Sequence, residues 1–246
     1  PYLVDHDKEY LATIRLGVST DTHDVSGRVL AEKPVPEIST AGFEDVCGAF
    51  VGRIKQVPPM YSAIHHEGRR LYELARKGIE VERAPREVVV RSIKVEAIAG
   101  ARVTVRVVCG KGTYVRVLAA DIGAALGCGG AVEELVRCRV GAFRLDEAMP
   151  WRDLTTGQSD LWLRVRPAET ALAGWAAVRL DELGATAFVN GQPASVVPVA
   201  AGGGFVRVHG VSGVLLGVGE LMAAGRSVRP VRVLHADRPG TRVLPA

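Results

Sequence analysis

Two β-rich runs, residues 86–98 (REVVVRSIKVEAI) and 101–109 (ARVTVRVVC), meet at Ala99-Gly100. Valine, isoleucine and threonine are stiff at χ1 and pack well on a pleated surface. A break this short between two such runs predicts an antiparallel hairpin. The second run leads through Gly110-Lys111-Gly112 into Thr113–Leu126. There the apolar residues recur at helical spacing, and Thr113 is available as a cap. Everything else in the chain must pack around a long hairpin that runs straight into a helix.

Other segments read less sharply. In Glu9–Val18, Tyr10, Ala12, Ile14 and Leu16 alternate, as in a half-buried strand. A polar loop over 19–27 follows, rich in Asx and Thr turn formers, and then a short strand over Arg28–Glu32. Ser39 or Thr40 can cap a helix to about Val51, with Phe43, Val46 and Phe50 on one stripe. The two prolines of Gln56–Gly68 predict an irregular segment. Arg69–Lys77 reads as a basic helix stopped by Gly78, Ala131–Cys138 as a short helix and Arg139–Arg144 as a strand. The texture changes near residue 150. Residues 151–175 carry mixed helix signals, and 178–246 read as short strands with glycine-rich turns (Asn190-Gly191, Gly202-Gly203-Gly204), suggesting a small β-barrel.

Composition bounds the function classes. The 246 residues are 48% apolar and 24% charged, which excludes a disordered chain. No apolar run approaches the ~20 residues of a membrane-spanning helix. Net charge is +4, unevenly spread. Residues 1–51 hold 4 Lys/Arg against 9 Asp/Glu, whereas 52–91 hold 9 against 5, 100–144 hold 7 against 3, and 176–246 hold 7 against 4. Basic segments that converge could neutralise several phosphates; the alternative is a solvated basic surface with no partner. Cys47, Cys109, Cys128 and Cys138 form no C-x-x-C pair and suit free thiols in a reducing cytoplasm. The six histidines show no metal-ligand spacing.

Candidate chemistry is sparse. The Lys111-Gly112-Thr113 junction offers backbone N–H groups at the positive end of a helix, suiting a phosphate, but the upstream glycine of a Walker A loop is missing. A plain tight turn carrying a lysine is the other reading. Arg116 is either a surface residue or, if buried, one that requires a carboxylate. Tyr10 is a core tyrosine or a platform for stacking on a base, worth ~1–3 kcal/mol. Asp21 and Asp24 are a carboxylate pair or turn organisers. Arg69, Arg70, Arg76 and Lys77 form a solvated basic face or contact phosphates.

In order along the chain, these pieces resemble a known family. The blocks are Asp7-Lys8-Glu9-Tyr10 with Arg15-Leu16-Gly17; Thr20-Asp21-Thr22-His23-Asp24; Gln56-Val57-Pro58-Pro59-Met60-Tyr61-Ser62-Ala63-Ile64; Gly68-Arg69-Arg70-Leu71-Tyr72; Lys111-Gly112-Thr113-Tyr114-Val115-Arg116; and Leu126-Gly127-Cys128 with Leu135-Val136-Arg137. They are similar to the bacterial TruB family of tRNA pseudouridine synthases. The tail, through Asn190-Gly191-Gln192-Pro193 and Arg229-Pro230-Val231-Arg232, resembles that family's PUA-type RNA-binding barrel. The resemblance implies an α+β fold: a mixed, mainly antiparallel sheet with flanking helices over 1–170, an RNA-gripping insert at about 56–85, and a PUA-like barrel over 177–246. It implies isomerisation of uridine 55 in the T arm of tRNA by base flipping and aspartate attack, with no cofactor or metal, by a cytoplasmic monomer that binds the T stem-loop and no membrane. A non-catalytic RNA-binding or tRNA-folding protein is the alternative. By resemblance, Tyr10 stacks on the base and takes part in proton transfer, and Arg116 pairs with the catalytic aspartate. Tyr114 and Leu135 line the uridine pocket, and Asp24 lies near the flipped nucleotide. Arg69, Arg70 and Lys111 contact RNA. One departure is large: the family's Gly-x-Leu-Asp-Pro run, which carries the nucleophile, occurs nowhere in the 246 residues. The expectation is an N-terminally shortened synthase, inactive alone.

Overall fold

The computed structural model describes residues 2–155, 161–197, 204–222 and 225–234. It separates into two compact units, Pro1–Ala148 and Met149–Ala246. The strands and helices of the first are β1 (Lys8–Leu16), β2 (Val18–Thr20), β3 (Val29–Glu32), α1 (Thr40–Gly48), β4 (Gly52–Gln56), β5 (His65–His66), β6 (Arg69–Arg70), α2 (Leu71–Ala75), β7 (Arg86–Ala99), β8 (Arg102–Cys109), α3 (Val115–Ala125), β9 (Gly130–Val140) and β10 (Phe143–Arg144).

Six of these strands form one antiparallel sheet in the order β10-β9-β1-β8-β7-β4. The expected β7–β8 hairpin is its spine. Alternation in β1 and β8 turns Ala12, Ile14 and Leu16, with Val103, Val105, Val107 and Cys109, onto one face, where Phe43 and Cys47 of α1 and Leu118 and Ile122 of α3 close the core. The Ser39 hydroxyl accepts from Gly42 N at 3.1 Å and starts α1, as its sequence predicts. Helix α3 approaches β9 so closely that a Cβ on Gly123 would lie 2.2 Å from the carbonyl carbon of Gly129. That separation explains the glycine.

Several local expectations are corrected. Residues 131–138 are strand, the middle of β9, not helix: β1 offers its whole edge from Lys8 to Leu16, and pairing with it overrides the helix propensity of Glu133, Glu134 and Leu135. The strand expected over 139–144 is the end of β9 followed by the short β10. Arg69 and Arg70 likewise leave the predicted helix. Glu67 (φ 48°) and Gly68 (φ 82°) both adopt the left-handed conformation, as a two-residue hairpin turn requires, and pair His65-His66 with Arg70-Arg69. The shortened α2 ends at Ala75, before the predicted stop at Gly78; a turn follows in which Gly78 (φ 71°) bonds its N–H to Ala75 O and Ile79 N–H bonds Leu74 O. Thr113 is not the cap of α3; Tyr114 holds that position without a side-chain cap bond.

The second unit contains α4 (Trp151–Thr155), β11 (Ala177–Arg179), α5 (Glu182–Val189), β12 (Ala194–Ser195), β13 (Gly204–His209), β14 (Leu215–Met222) and β15 (Ser227–Val233). Its strands form a curled five-stranded sheet in the order β11-β13-β14-β15-β12, around Val178, Leu180, Phe188, Val206, Val208 and Val228. Helix α5 corrects the all-strand expectation: the Asp181 carboxylate accepts from Gly184 N at 2.7 Å and nucleates it, and Asn190-Gly191 ends it. Gly202 and Gly203 lie outside the described residues.

Candidate active site

Strand register gathers the first group of residues. Tyr10 on β1 faces Arg137 on β9, and Ala12 faces Leu135. Directly opposed residues share a face, so Tyr10, Arg137 and Leu135 lie on the core side of the sheet. Leu135 nevertheless stays 42% exposed. Tyr10 is half-buried. Burial pushes its phenol above the usual tyrosine range, with the Cys109 thiol adding to the effect, and a hydrogen bond from Arg137 opposes both.

Arg116 occupies the first turn of α3. Its Nη2 donates to the Tyr61 carbonyl at 2.9 Å. No carboxylate lies within ion-pair distance of Arg116 among the described residues, so the partner demanded by its sequence context is not met within them. His23 lies in the same electrostatic neighbourhood. Burial first, then the charges of Arg116 and Arg83, hold its imidazole below the usual histidine range, against a smaller opposing pull from Asp21. His23 adopts a left-handed φ of 58°, and its carbonyl accepts from Val132 N on β9 at 2.9 Å, which ties the 19–27 loop to the sheet. Beside it, Arg83 donates Nη1 to the Pro58 carbonyl at 3.3 Å and Nη2 to Glu80 at 3.2 Å, while its buried Nε has no partner.

The remaining predicted residues have separate places. Asp24 organises its own turn: Oδ1 accepts from Ser26 N at 2.9 Å and Ser26 Oγ at 2.6 Å. Tyr114 is held by Gln56, whose Oε1 accepts Tyr114 N–H at 3.0 Å and whose Nε2 donates to the Tyr114 carbonyl at 3.4 Å. Tyr114 and Lys111 line a cavity of about 340 Å³ that also takes in Gln56, Pro58, Ile64 and Gly112. Lys111 itself pairs with Asp5 at 2.6 Å, both side chains being exposed. Arg70 lies in the 65–70 ribbon, and its guanidinium stands 6.0 Å from the Tyr72 ring centroid while that of Arg76 stands 5.4 Å away. Arg69, its neighbour on β6, is exposed. No hydrogen bond or ion pair joins Tyr10, Arg116 and Asp24 to one another. Among the described residues no cluster of His, Cys, Asp or Glu could hold a metal ion, and no helix is long and apolar enough to cross a membrane.

Comparison with known proteins decides the family. Residues 1–115 match the TruB family pseudouridylate synthase N-terminal domain. Residues 116–173 match the tRNA pseudouridylate synthase B C-terminal domain, and 176–234 the C-terminal domain of pseudouridine synthase II TruB. The tRNA pseudouridine synthase B of Aromatoleum aromaticum is 41% identical over 234 residues, covering 94% of this chain and 74% of that protein. The chain belongs to the TruB family. The protein of the same name from Pseudomonas fluorescens is 38% identical over 241 residues, covering 96% and 78%. Solved structures share the TruB chain's fold: a Cbf5-Nop10-Gar1 complex (TM-score 0.68, 23% identity, 94% of this chain and 68% of that one) and an H/ACA RNP bound to a substrate RNA containing 2′-deoxyuridine (TM-score 0.67, 21% identity, 94% and 67%).

Three residues of this candidate site escape sequence reasoning. Arg137 and His23 sit inside the quoted blocks, but a helix expected over 131–138 hides the facing of Arg137 to Tyr10, and His23 looks like one more loop polar group. Gln56 looks like the start of an irregular segment. Its one signal is a glutamine at the inward-facing last position of a strand, where a polar side chain needs a partner.

Proposed function

We propose that the protein is a tRNA pseudouridine synthase acting on uridine 55 of the T arm. The observation that carries this reading is the facing of Tyr10, Arg137 and Leu135 on one partly uncovered patch of sheet, in a chain of the TruB family. The target base must leave its stack to be reached. Leu135 then offers an apolar wall, and Tyr10 a flat ring with a phenol held protonated by burial. Attack by an aspartate frees the base from C1′. The base turns and rejoins C1′ through C5 as the aspartate leaves; the C5 proton is lost and N1 gains one, a transfer in which the Tyr10 phenol takes part by resemblance. Atoms balance without an oxidant, reductant, metal or organic cofactor. Arg116, bonded to a carbonyl and to no carboxylate, has donors left for the attacking aspartate or a phosphate. The substrate contacts assigned by resemblance to Asp24 and Tyr114 belong to the same proposal.

Residues 1–170 would carry the chemistry, with 56–85 as the RNA-gripping insert; Arg69, Arg70 and Lys111 would meet the phosphates. Residues 177–246 would add a PUA-like RNA-binding barrel. The free thiols support a reducing, cytoplasmic setting, and we take the enzyme to act as a monomer.

Without a Gly-x-Leu-Asp-Pro run, the 246 residues by themselves should bind T-arm RNA and not turn it over. Tritium release from C5-labelled T-arm RNA tests the reading: the full-length gene product should release it and the 246-residue chain should not. A folded full-length protein that releases none overturns the enzymatic reading and favours an RNA-binding or tRNA-folding role. Filter binding across salt then decides between those two and no RNA role, because a phosphate-led mode must weaken steeply as salt rises.

A further inference from the structure

Gln56 ends β4, and its side chain is only 2% exposed. Such a carboxamide has a donor pair and an acceptor to satisfy, and leaving them unpaired in an apolar setting is costly. Both needs are met by a single residue on a different element. Oε1 takes the Tyr114 N–H at 3.0 Å, and Nε2 gives to the Tyr114 carbonyl at 3.4 Å. The side chain thus pairs with the Tyr114 backbone as a neighbouring strand residue would.

Tyr114 is the residue before α3, in extended conformation (φ −102°, ψ 105°), with no side-chain cap bond. Helix starts of this kind carry orphan N–H groups and fray unless something holds them. Gln56 is what holds this one. Two residues later comes Arg116, and its guanidinium bonds the Tyr61 carbonyl, five residues beyond Gln56. The exit of β4 and the entry of α3 are therefore fastened twice, once at the backbone of Tyr114 and once at the head of Arg116. Loss of the backbone fastening would leave the direction of the Arg116 side chain to one hydrogen bond on a surface loop.

We infer that Gln56 is a positioning residue: its carboxamide fixes the backbone at Tyr114 and so aims both the Tyr114 ring and the Arg116 guanidinium at the nucleotide. This rests on the reading of Arg116 and Tyr114 as substrate-site residues. Gln56→Met keeps length and volume and removes both bonds. Gln56→Glu keeps the acceptor; buried, its carboxyl tends to stay protonated and can supply the donor as well.

Two measurements separate this inference from the functional reading. In the full-length gene product, Gln56→Met should lower kcat on T-arm RNA at least tenfold and move KM less than twofold, and Gln56→Glu should lose less at low pH than at high pH. In the 246-residue chain, amide exchange at Tyr114 and the first turn of α3 should accelerate at least tenfold in Gln56→Met, while core amides of β8 such as Val105 keep their protection. An unchanged kcat with a deprotected Tyr114 amide overturns the assignment. So does an amide that stays protected without Gln56, or a loss of protection spread over the whole core. If the wild-type full-length protein makes no pseudouridine, the functional reading fails and the aiming of Tyr114 and Arg116 at a nucleotide falls with it, while an exchange change confined to Tyr114 and the start of α3 still shows that Gln56 fastens the helix entry.

Discussion

The two faces of the six-stranded sheet treat arginine differently. On the outer face, arginines meet carboxylates. Glu9 accepts from Arg106 at 2.9 Å and Arg139 at 3.1 Å, Arg106 also bonds Glu96 at 2.8 Å, Arg102 makes two bonds to Glu133 at 2.7 and 2.9 Å, and Arg91 bonds Asp7 at 3.2 Å. On the inner face, Arg137 faces Tyr10 across the β1–β9 pair, and Arg116 at the start of α3 bonds a carbonyl. Glu9 and Tyr10 are neighbours on one strand, so a single residue step separates the two regimes. The outer arginines are neutralised and serve the fold. Among the described residues no carboxylate pairs with the inner ones, which leaves their charge available to an anionic group at the site.

The sharpest way to break this contrast is Arg116→Ala in the full-length gene product. It should cost about 10²–10³-fold in turnover, the scale of removing one preorganised charge-stabilising donor. It should leave the melting temperature nearly unchanged, since only one partly solvated hydrogen bond is lost. A large drop in melting temperature would move Arg116 to the structural class. Tyr10→Phe comes next. Turnover should fall by about 10²-fold if the phenol moves a proton, while RNA affinity stays within twofold because the stacking ring remains. Near-normal turnover would leave Tyr10 as a stacking surface only.

How much of this was legible in the sequence differs between the same two faces. The alternation of Tyr10, Ala12, Ile14 and Leu16 and the β7–β8 hairpin depend on local pattern and turn chemistry, and both hold. The fate of 131–138 does not depend on local pattern. Its helix formers become a strand because β1 has an unpaired edge, a fact held 120 residues away, and with it went the facing of Arg137 and Leu135 to the site. Arg69 and Arg70 were misread for a smaller reason: a left-handed non-glycine, Glu67, completes the turn. The basic character of the insert was visible; its cation–aromatic stack on Tyr72 was not, because the expected helix put the arginines on one face and not around a ring.

On the outer face the matching prediction is Glu9→Gln. The two guanidiniums hold the Glu9 carboxyl below its usual range. A carboxylate whose folded pKa is depressed contributes stability above the unfolded pKa, near 4.3, and loses it as pH falls through the folded value. Glu9→Gln should therefore cost about 1–3 kcal/mol at pH 7, with a smaller deficit in acid and little change in turnover. Denaturant titrations at pH 7 and pH 3.5 check it; a deficit independent of pH would mean that packing, not charge, is what Glu9 supplies. Substituting Arg69 and Arg70 together by alanine should be milder still for the fold. It should lower the slope of log affinity against log salt by about 1–2 if both meet phosphates, each contact being worth ~0.7–0.9.

The smallest effect concerns His23, and it probes the boundary between the two regimes. Its imidazole is half-buried beside the guanidiniums of Arg116 and Arg83; burial first, and then these charges, hold its pKa below the usual value. A base with a depressed folded pKa is neutral in both states at high pH, so it costs the fold nothing there. As pH falls through the unfolded value, near 6.5, the unfolded chain binds the proton first and stability drops, until the folded value is passed. His23→Asn removes this titration and keeps a residue that tolerates the left-handed φ of 58°. The variant should lose less stability than wild type between pH 7 and pH 5. RNA should act in the opposite direction. A phosphate lodged against Arg116 and Arg83 cancels the charges that depress His23, so the imidazole should titrate at higher pH when RNA is bound. Imidazole chemical shifts followed by NMR with and without a T-arm hairpin test this directly. A His23 pKa that stays put on binding would mean that the RNA phosphates go elsewhere, and that the inner arginines are kept for the reacting nucleotide alone.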